Sequence, residues 1–144
     1  KGVVVTHAGV AGLSSTQRER LGVDRTSRVL QFASPGFDAA WWELCMALLS
    51  GAALVVDEDD RPPHAGPADD GGGQGGDRGA RLGDVIALKG VTHVTLPPAL
   101  VATLDDDAVP PEVTMVVAGE ACAPEVVDRW ARGRRFVNAY GPTE

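Results

Sequence analysis

Cysteine is scarce in this chain, and what there is does not pair. Cys45 and Cys122 are the whole complement. Neither has a partner at C-x-x-C spacing, and each falls inside an apolar stretch. Two buried thiols in a reducing cytoplasm are the expectation. Histidine gives no metal pattern either: His7, His64 and His93 are scattered, and no His or Cys pair has zinc-site spacing. No apolar run approaches the roughly 18 residues that cross a bilayer, and no signal peptide opens the chain, so no membrane partner is expected. Positive charge is outnumbered, with 13 Lys and Arg against 20 Asp and Glu and a formal net charge of −7. That argues against a nucleic-acid or anionic-membrane surface. The first residue is Lys1 rather than Met, and the chain stops soon after a strand-like run. A segment of something longer is therefore expected. What remains is an ordinary globular balance, 44% hydrophobic and 23% charged over 144 residues, enough for one domain or part of one.

Strand and helix patterns alternate along the chain. Val3 to Thr6 is a β-branched run that reads as a strand. Ala8 to Leu21 reads as a helix with Val10, Leu13, Gln17 and Leu21 on one face. Ser27 to Ala33 alternates as a strand and ends at the turn signal Pro35-Gly36. Phe37 to Leu49 is a helix apolar almost all round, the pattern of a helix covered on every side; Asp38 is placed to cap it. Trp41 reads as core. Ala53 to Val56 reads as a buried parallel strand. Residues 57–79 differ in kind: D-E-D-D, then R-P-P-H, then seven glycines in the fourteen residues from Gly66 to Gly79. Such a composition cannot bury a core and is expected to be a mobile loop. Short helices follow over Arg81–Lys89, Ala99–Leu104 and Pro124–Arg132, with strands over Val91–Leu96, Val113–Ala118 and Arg135–Ala139. The alternation implies an α/β fold, a mostly parallel sheet flanked by helices.

Ligands in such folds sit at the carboxyl ends of strands. Three of those ends carry informative residues: Ser34-Pro35-Gly36-Phe37-Asp38, Ala118-Gly119-Glu120, and Asn138-Ala139-Tyr140-Gly141-Pro142-Thr143-Glu144. In the last, a tyrosine can stack on a flat heterocycle, a threonine hydroxyl can donate to a phosphate oxygen, and a carboxylate can hold Mg²⁺. A plain turn with a capping threonine fits the same residues.

N-A-Y-G-P-T-E resembles the signature of adenylate-forming enzymes, most closely that of nonribosomal peptide synthetase adenylation domains. Four further segments are similar to motifs of that family, in the same order: K-G-V-V-V-T-H at Lys1–His7, F-D-A-A-W-W-E-L at Phe37–Leu44, V-T-H-V-T-L-P-P at Val91–Pro98, and A-G-E-A at Ala118–Ala121. The resemblance covers the chain except its glycine-rich stretch. It implies part of the large N-terminal subdomain of an adenylate-forming enzyme. ATP and Mg²⁺ would be used, and an amino acid would be activated for the phosphopantetheine of a carrier domain, with peptidyl carrier and condensation domains as partners. By the same resemblance Asp38 would pair with the substrate's α-ammonium. Ala39, Trp42, Thr95, Val116, Ala118 and Ala139 would line the side-chain pocket. Gly119, Glu120, Ala121, Asn138, Ala139, Tyr140 and Gly141 would surround the adenine. Thr143 would contact the α-phosphate, and Glu144 would hold Mg²⁺. The series D-A-W-T-V-A-A is small or apolar apart from Asp38 and Thr95, which suits a large apolar side chain and resembles the series linked to phenylalanine. Simpler roles fit the same residues: a helix cap for Asp38, core packing for Trp42, a solvated loop acid for Glu120.

The chain also departs from the family. The Ser/Thr/Gly-rich loop before Lys1, the ribose-binding aspartate and the mobile C-terminal lysine are absent. The serine usual two residues after the pocket aspartate is Ala40 here, and the stretch over 57–79 is unusually long and glycine-rich. The segment alone is therefore expected to be inactive, and because the apolar helix Phe37–Leu49 needs covering by other elements, it is expected to be unstable or to aggregate. Two other readings stand beside the amino-acid ligase: an acyl-CoA or aryl-acid ligase of the same superfamily, and a degenerate synthetase segment acting as scaffold. An anion at Asp38 separates the first of these, because a substrate without an α-amine has no use for it.

Overall fold

The computed structural model describes residues 3–57 and 75–141. Its centre is a five-stranded sheet of β1 (Arg28–Leu30), β2 (Ala53–Val55), β3 (His93–Leu96), β4 (Thr114–Val117) and β5 (Phe136–Asn138). The spatial order is β2-β1-β3-β4-β5, and every pairing is parallel. The helices are α1 (Val10–Thr16), α2 (Asp38–Leu48), α3 (Gly75–Lys89), α4 (Pro98–Thr103) and α5 (Pro124–Trp130). The expected parallel α/β architecture is the one found.

The chain order fixes which face each helix covers. From β1 the chain passes through α2 to β2 on one side, then through α3 to β3 on the other side of β1. Crossovers between parallel strands are right-handed, so reversing direction moves the helix to the opposite face. Two cores follow. Leu21, Val29, Met46, Ala47 and Val116 pack on the α1–α2 face. Leu30, Leu82, Ile86, Leu96, Val101, Met115 and Trp130 pack on the α3–α5 face. β3 and β4 are buried along their whole length, as strands covered on both sides must be. The reversal also creates a switch point between β1 and β3, where the ladder pairs only Val29 with His93. A crevice at the carboxyl ends of the flanking strands is the usual ligand site of such sheets.

Several expectations need correction. Val3 to Thr6 is not a strand. Val4 is 97% exposed, and β-branched propensity cannot hold a strand without a partner to pair with. The helix expected from Arg81 begins at Gly75, so residues 75–79 are helical rather than loop. The rest of the glycine-rich expectation, residues 58–74, lies outside the described residues. Phe37, not Asp38, occupies the cap position of α2, and Asp38 is its first helical residue. β2 is only partly buried, with Ala53 exposed and Leu54 half-buried, because it borders the described sheet on one side only. Trp41 is 53% exposed, not core: it lies with Phe37 and Leu48 on the face of α2 turned away from the sheet. Cys45 is buried as expected, whereas Cys122 is half-buried.

The first helix ends as a π-helical turn over Gln17–Leu21, closed by Gly22 at φ 74. That left-handed position is one L side chains rarely adopt. The Arg135 guanidinium also fills the space a Cβ at Gly22 would need.

Candidate functional site

The site begins at the end of β1. The N–H groups of Phe32 and Ala33 donate to the carboxylate of Glu43, with Phe32 at 3.1 Å and Ala33 at 3.2 and 3.1 Å from the two oxygens. The Gln31 amide donates to the Ala33 carbonyl. A tight turn follows, in which the Phe37 N–H donates to the Ser34 carbonyl at 2.9 Å. Asp38 then opens α2, exposed and in the first turn, where free N–H groups and the helix dipole favour an anion. Ala39, Trp42, Glu43 and Met46 recur at helical spacing and form the stripe that faces the sheet.

Glu43 is fully buried. Burial pushes its carboxyl up to about 7, while the two backbone N–H groups pull the other way. Two donors do not offset the loss of water around a full charge. The sequence offered a signal for this residue: Glu43 is the only charged side chain between Ala39 and Leu49.

The second part is a row across the sheet. Thr95 lies opposite Val116, and Val116 opposite Val137, so the three side chains share one face. That face is the α2 side, since Val116 and Val137 pack there with Met46, and Trp42 packs against the same cluster. Thr95 Oγ1 and Trp42 Nε1 are buried and have no hydrogen-bond partner among the described residues. Ala118 is half-buried at the end of β4, Ala39 is half-buried on α2, and Ala139 is exposed beyond β5. Gln17, which the sequence placed only as a helix-face residue, is fully buried. Its Nε2 donates to the Trp42 carbonyl at 2.9 Å, tying the first helix to the aromatic residue of the row. His93 lies below, tied to the Leu21 carbonyl through Nε2. Burial is the main cause that holds its imidazole below the usual histidine range.

The third part lies at the ends of β4 and β5. Val117 pairs with Asn138, and the Ala139 N–H donates to the Val117 carbonyl at 2.8 Å. Gly119-Glu120-Ala121 and Tyr140-Gly141 therefore leave the sheet side by side. Gly119 has φ 93, and among the described residues nothing lies within 4 Å of where a Cβ would stand. Tyr140 is 55% exposed. Its N–H donates to Asn138 Oδ1 at 3.0 Å, which closes a short Asx turn and fixes the tyrosine's departure from the strand. Glu120 is exposed but engaged: the Ala99 N–H donates to its Oε1 at 2.8 Å, so this carboxylate caps the start of α4. Thr143 and Glu144 lie outside the described residues. Among the described residues no three His, Cys, Asp or Glu side chains gather as a metal site, and no helix is long and apolar enough to cross a membrane. A separate cleft of about 990 Å³, lined by His7, Arg18, Glu19 and Asp24 among others, contains none of the residues expected to line the side-chain pocket or surround the adenine.

Exposed loops at the carboxyl ends of a parallel sheet, beside a switch point and over a row of small and apolar side chains, define an α/β fold with the arrangement that places ligand sites in this class. The family is specific: the chain belongs to the AMP-binding enzymes, whose pattern matches residues 1–144. It is 51% identical over 144 residues to the "probable non-canonical nonribosomal peptide synthetase (NRPS) CymA" of Salinispora arenicola, covering 100% of this chain and 2% of that protein. Among solved structures, the Klebsiella oxytoca NpsA N-terminal subdomain in complex with 3-hydroxyanthranilyl-AMSN matches 99% of this chain and 34% of its own, with TM-score 0.71 and 26% identity. An artificially fused adenylation-PCP di-domain of the same organism, NpsA-ThdA, matches 99% of this chain and 24% of its own, with TM-score 0.74 and 26% identity. The resemblance to synthetase adenylation domains is borne out, and the fold is that of their N-terminal subdomain.

Proposed function

We propose that this chain supplies the amino-acid pocket and the adenine platform of an adenylation domain that activates a large apolar amino acid, phenylalanine by preference. A carboxylate oxygen of the amino acid attacks the α-phosphorus of ATP. The bond between the α-phosphorus and its bridging oxygen breaks, and pyrophosphate leaves with the aminoacyl adenylate formed. The acyl group then passes to the phosphopantetheine thiol of a carrier domain. Proteins promote such transfers largely by positioning and charge neutralisation.

The observation that carries this reading is the packing of Trp42, on α2, against the sheet cluster that contains Val116, with Thr95 directly opposite Val116. Residues far apart in sequence thus form one small-and-apolar surface, next to a helix whose first residue is Asp38. The unpartnered Thr95 Oγ1 and Trp42 Nε1 leave polar atoms for a ligand or its water to meet. Asp38 takes the α-ammonium, and Ala39, Ala118 and Ala139 leave room for the side chain. Tyr140 and the open Gly119 fit a flat base between neighbouring strand ends, with Ala121, Asn138, Ala139 and Gly141 at its edge. Glu120 contributes by holding α4 and the Gly119 turn together. Thr143 and Glu144 are assigned to the α-phosphate and Mg²⁺ from sequence alone; Mg²⁺ there would neutralise phosphate charge.

An aryl-acid ligase is the second reading, favoured by the 3-hydroxyanthranilyl-AMSN bound to the NpsA subdomain. Acid-dependent ATP–pyrophosphate exchange on the full-length protein separates the two. Phenylalanine is expected to support exchange well above leucine and aspartate, and 3-phenylpropanoate, which lacks the amine, is expected not to. Exchange driven by the amine-free acid would move the protein to the aryl or acyl ligases. No exchange with any acid would favour a degenerate segment.

A further inference from the structure

The strand β1 and the helix α2 are joined by a turn that delivers Asp38, and the base of that turn is held by a side chain. Glu43 stands in the second turn of α2 and reaches back to the N–H groups of Phe32 and Ala33. The chain from residue 32 to residue 43 is thereby stapled into a closed loop. Inside it, the Phe37 N–H meets the Ser34 carbonyl and the Gln31 amide holds the Ala33 carbonyl. Outside the staple, β1 is fixed to β2 and β3 by its ladder. The position of Asp38 relative to the sheet therefore depends in part on this carboxylate, together with the backbone bonds of the turn. An isolated buried acid is an expensive way to hold a turn, since an apolar residue would fill the space without the desolvation cost. Its distinguishing property is that it accepts from two consecutive backbone N–H groups at once.

We propose that Glu43 is a positioning residue for substrate recognition: its carboxylate holds the Phe32–Phe37 segment so that Asp38 and Ala39 meet the amino-acid substrate. The inference rests on the reading of Asp38 as the partner of the substrate's ammonium. Glu43 touches neither the substrate nor the nucleotide in this account and acts only through the loop. A glutamine at this position keeps the volume and one acceptor oxygen, but turns its N–H₂ toward the Ala33 N–H. The loop then shifts at its base while the helix and both cores keep their packing.

The test is amino-acid-dependent ATP–pyrophosphate exchange on the full-length protein, with Glu43→Gln, Glu43→Ala and Asp38→Ala compared with the parent. Glu43→Gln is expected to raise KM for the amino acid about tenfold, the scale of a lost hydrogen bond to a charged acceptor. KM for ATP should stay near the parent's, and the variant should remain folded at the assay pH, as a cooperative thermal melt there would show. Glu43→Ala should raise it further, and if that variant fails to fold the glutamine variant decides alone. An unchanged amino-acid KM in Glu43→Gln overturns the inference. So does a loss of kcat and of folded protein with both KM values unchanged, which is the mark of a merely structural acid. The Asp38→Ala arm reads the underlying assignment separately. If it leaves the amino-acid KM unchanged, the ammonium reading fails and the positioning inference falls with it. If it raises KM while Glu43→Gln does not, only the positioning inference fails.

Discussion

Thr95 on β3 lies directly opposite Val116 on β4, and both side chains face the helix that carries Trp42. The floor of the proposed pocket is thus a ladder of the sheet itself, as rigid as its hydrogen bonds. Ala118 and Ala139 stand beyond this row, where the strands end. Specificity should therefore be adjustable at the alanines with little cost to the fold. Ala118→Leu is expected to raise KM for phenylalanine at least tenfold by filling pocket volume, with kcat for a smaller amino acid maintained. Exchange kinetics with both substrates, alongside a thermal melt, check this.

Glu43 makes stability depend on pH in a stated direction. Its carboxyl titrates at about 7 in the fold against 4.5 ordinarily, so the fold binds its proton more tightly than the unfolded chain. The contribution is fully present below pH 4.5 and is lost as pH rises through about 7. The whole effect is on the order of 3 kcal/mol. Glu43→Gln should remove this component, so that stability differs less between pH 5 and pH 8 in the variant than in the parent. Denaturant melts at the two pH values measure it.

Gly22 and Gly133 both have positive φ, 74 and 72, but only at Gly22 is the space for a Cβ occupied, by Arg135. Gly133→Ala is expected to cost about 1 kcal/mol, the backbone penalty alone. Gly22→Ala should cost more, because Arg135 must also move. The difference between the two thermal midpoints isolates the steric part.

Phe37, Trp41 and Leu48 expose apolar surface along one side of α2, at 70%, 53% and 59%. A contiguous apolar strip of this kind promotes association. The isolated 144-residue chain should self-associate in sedimentation experiments, and Trp41→Lys should reduce that association without lowering the thermal midpoint. A monomeric parent chain would contradict this.

The fold was largely legible because parallel α/β order is written in alternating apolar runs: all five strands of the sheet and the helix Asp38–Leu48 fall where the pattern puts them. Val3–Thr6 is an exception because its strand propensity has no partner strand to pair with among the described residues. Trp41 misled because an all-round apolar helix does not reveal which side its neighbours cover. The early start of α3 at Gly75 was hidden by glycines, whose weak propensity tertiary context overrode. Of the proposed site, Trp42, Thr95 and Val116 share one face of the sheet, and the loops beyond β4 and β5 start from paired strand ends. The lone charge of Glu43 and the helix-face position of Gln17 are visible in the sequence, but their bonding roles are not, because these are long-range. Each bonds a backbone group ten or more residues away, and no local pattern encodes that.

The proposed pocket depends most on Asp38 as the partner of the substrate's amine. Its most direct test is the ratio of kcat/KM for phenylalanine to that for 3-phenylpropanoate, measured by pyrophosphate exchange in the full-length parent and in Asp38→Ala. Asp38 is exposed in the free chain; once bound substrate buries the pair, removing one partner costs on the order of 2–5 kcal/mol, so the ratio should fall at least thirtyfold in the variant. An unchanged ratio would contradict the account and leave Asp38 as an ordinary first-turn helix acid.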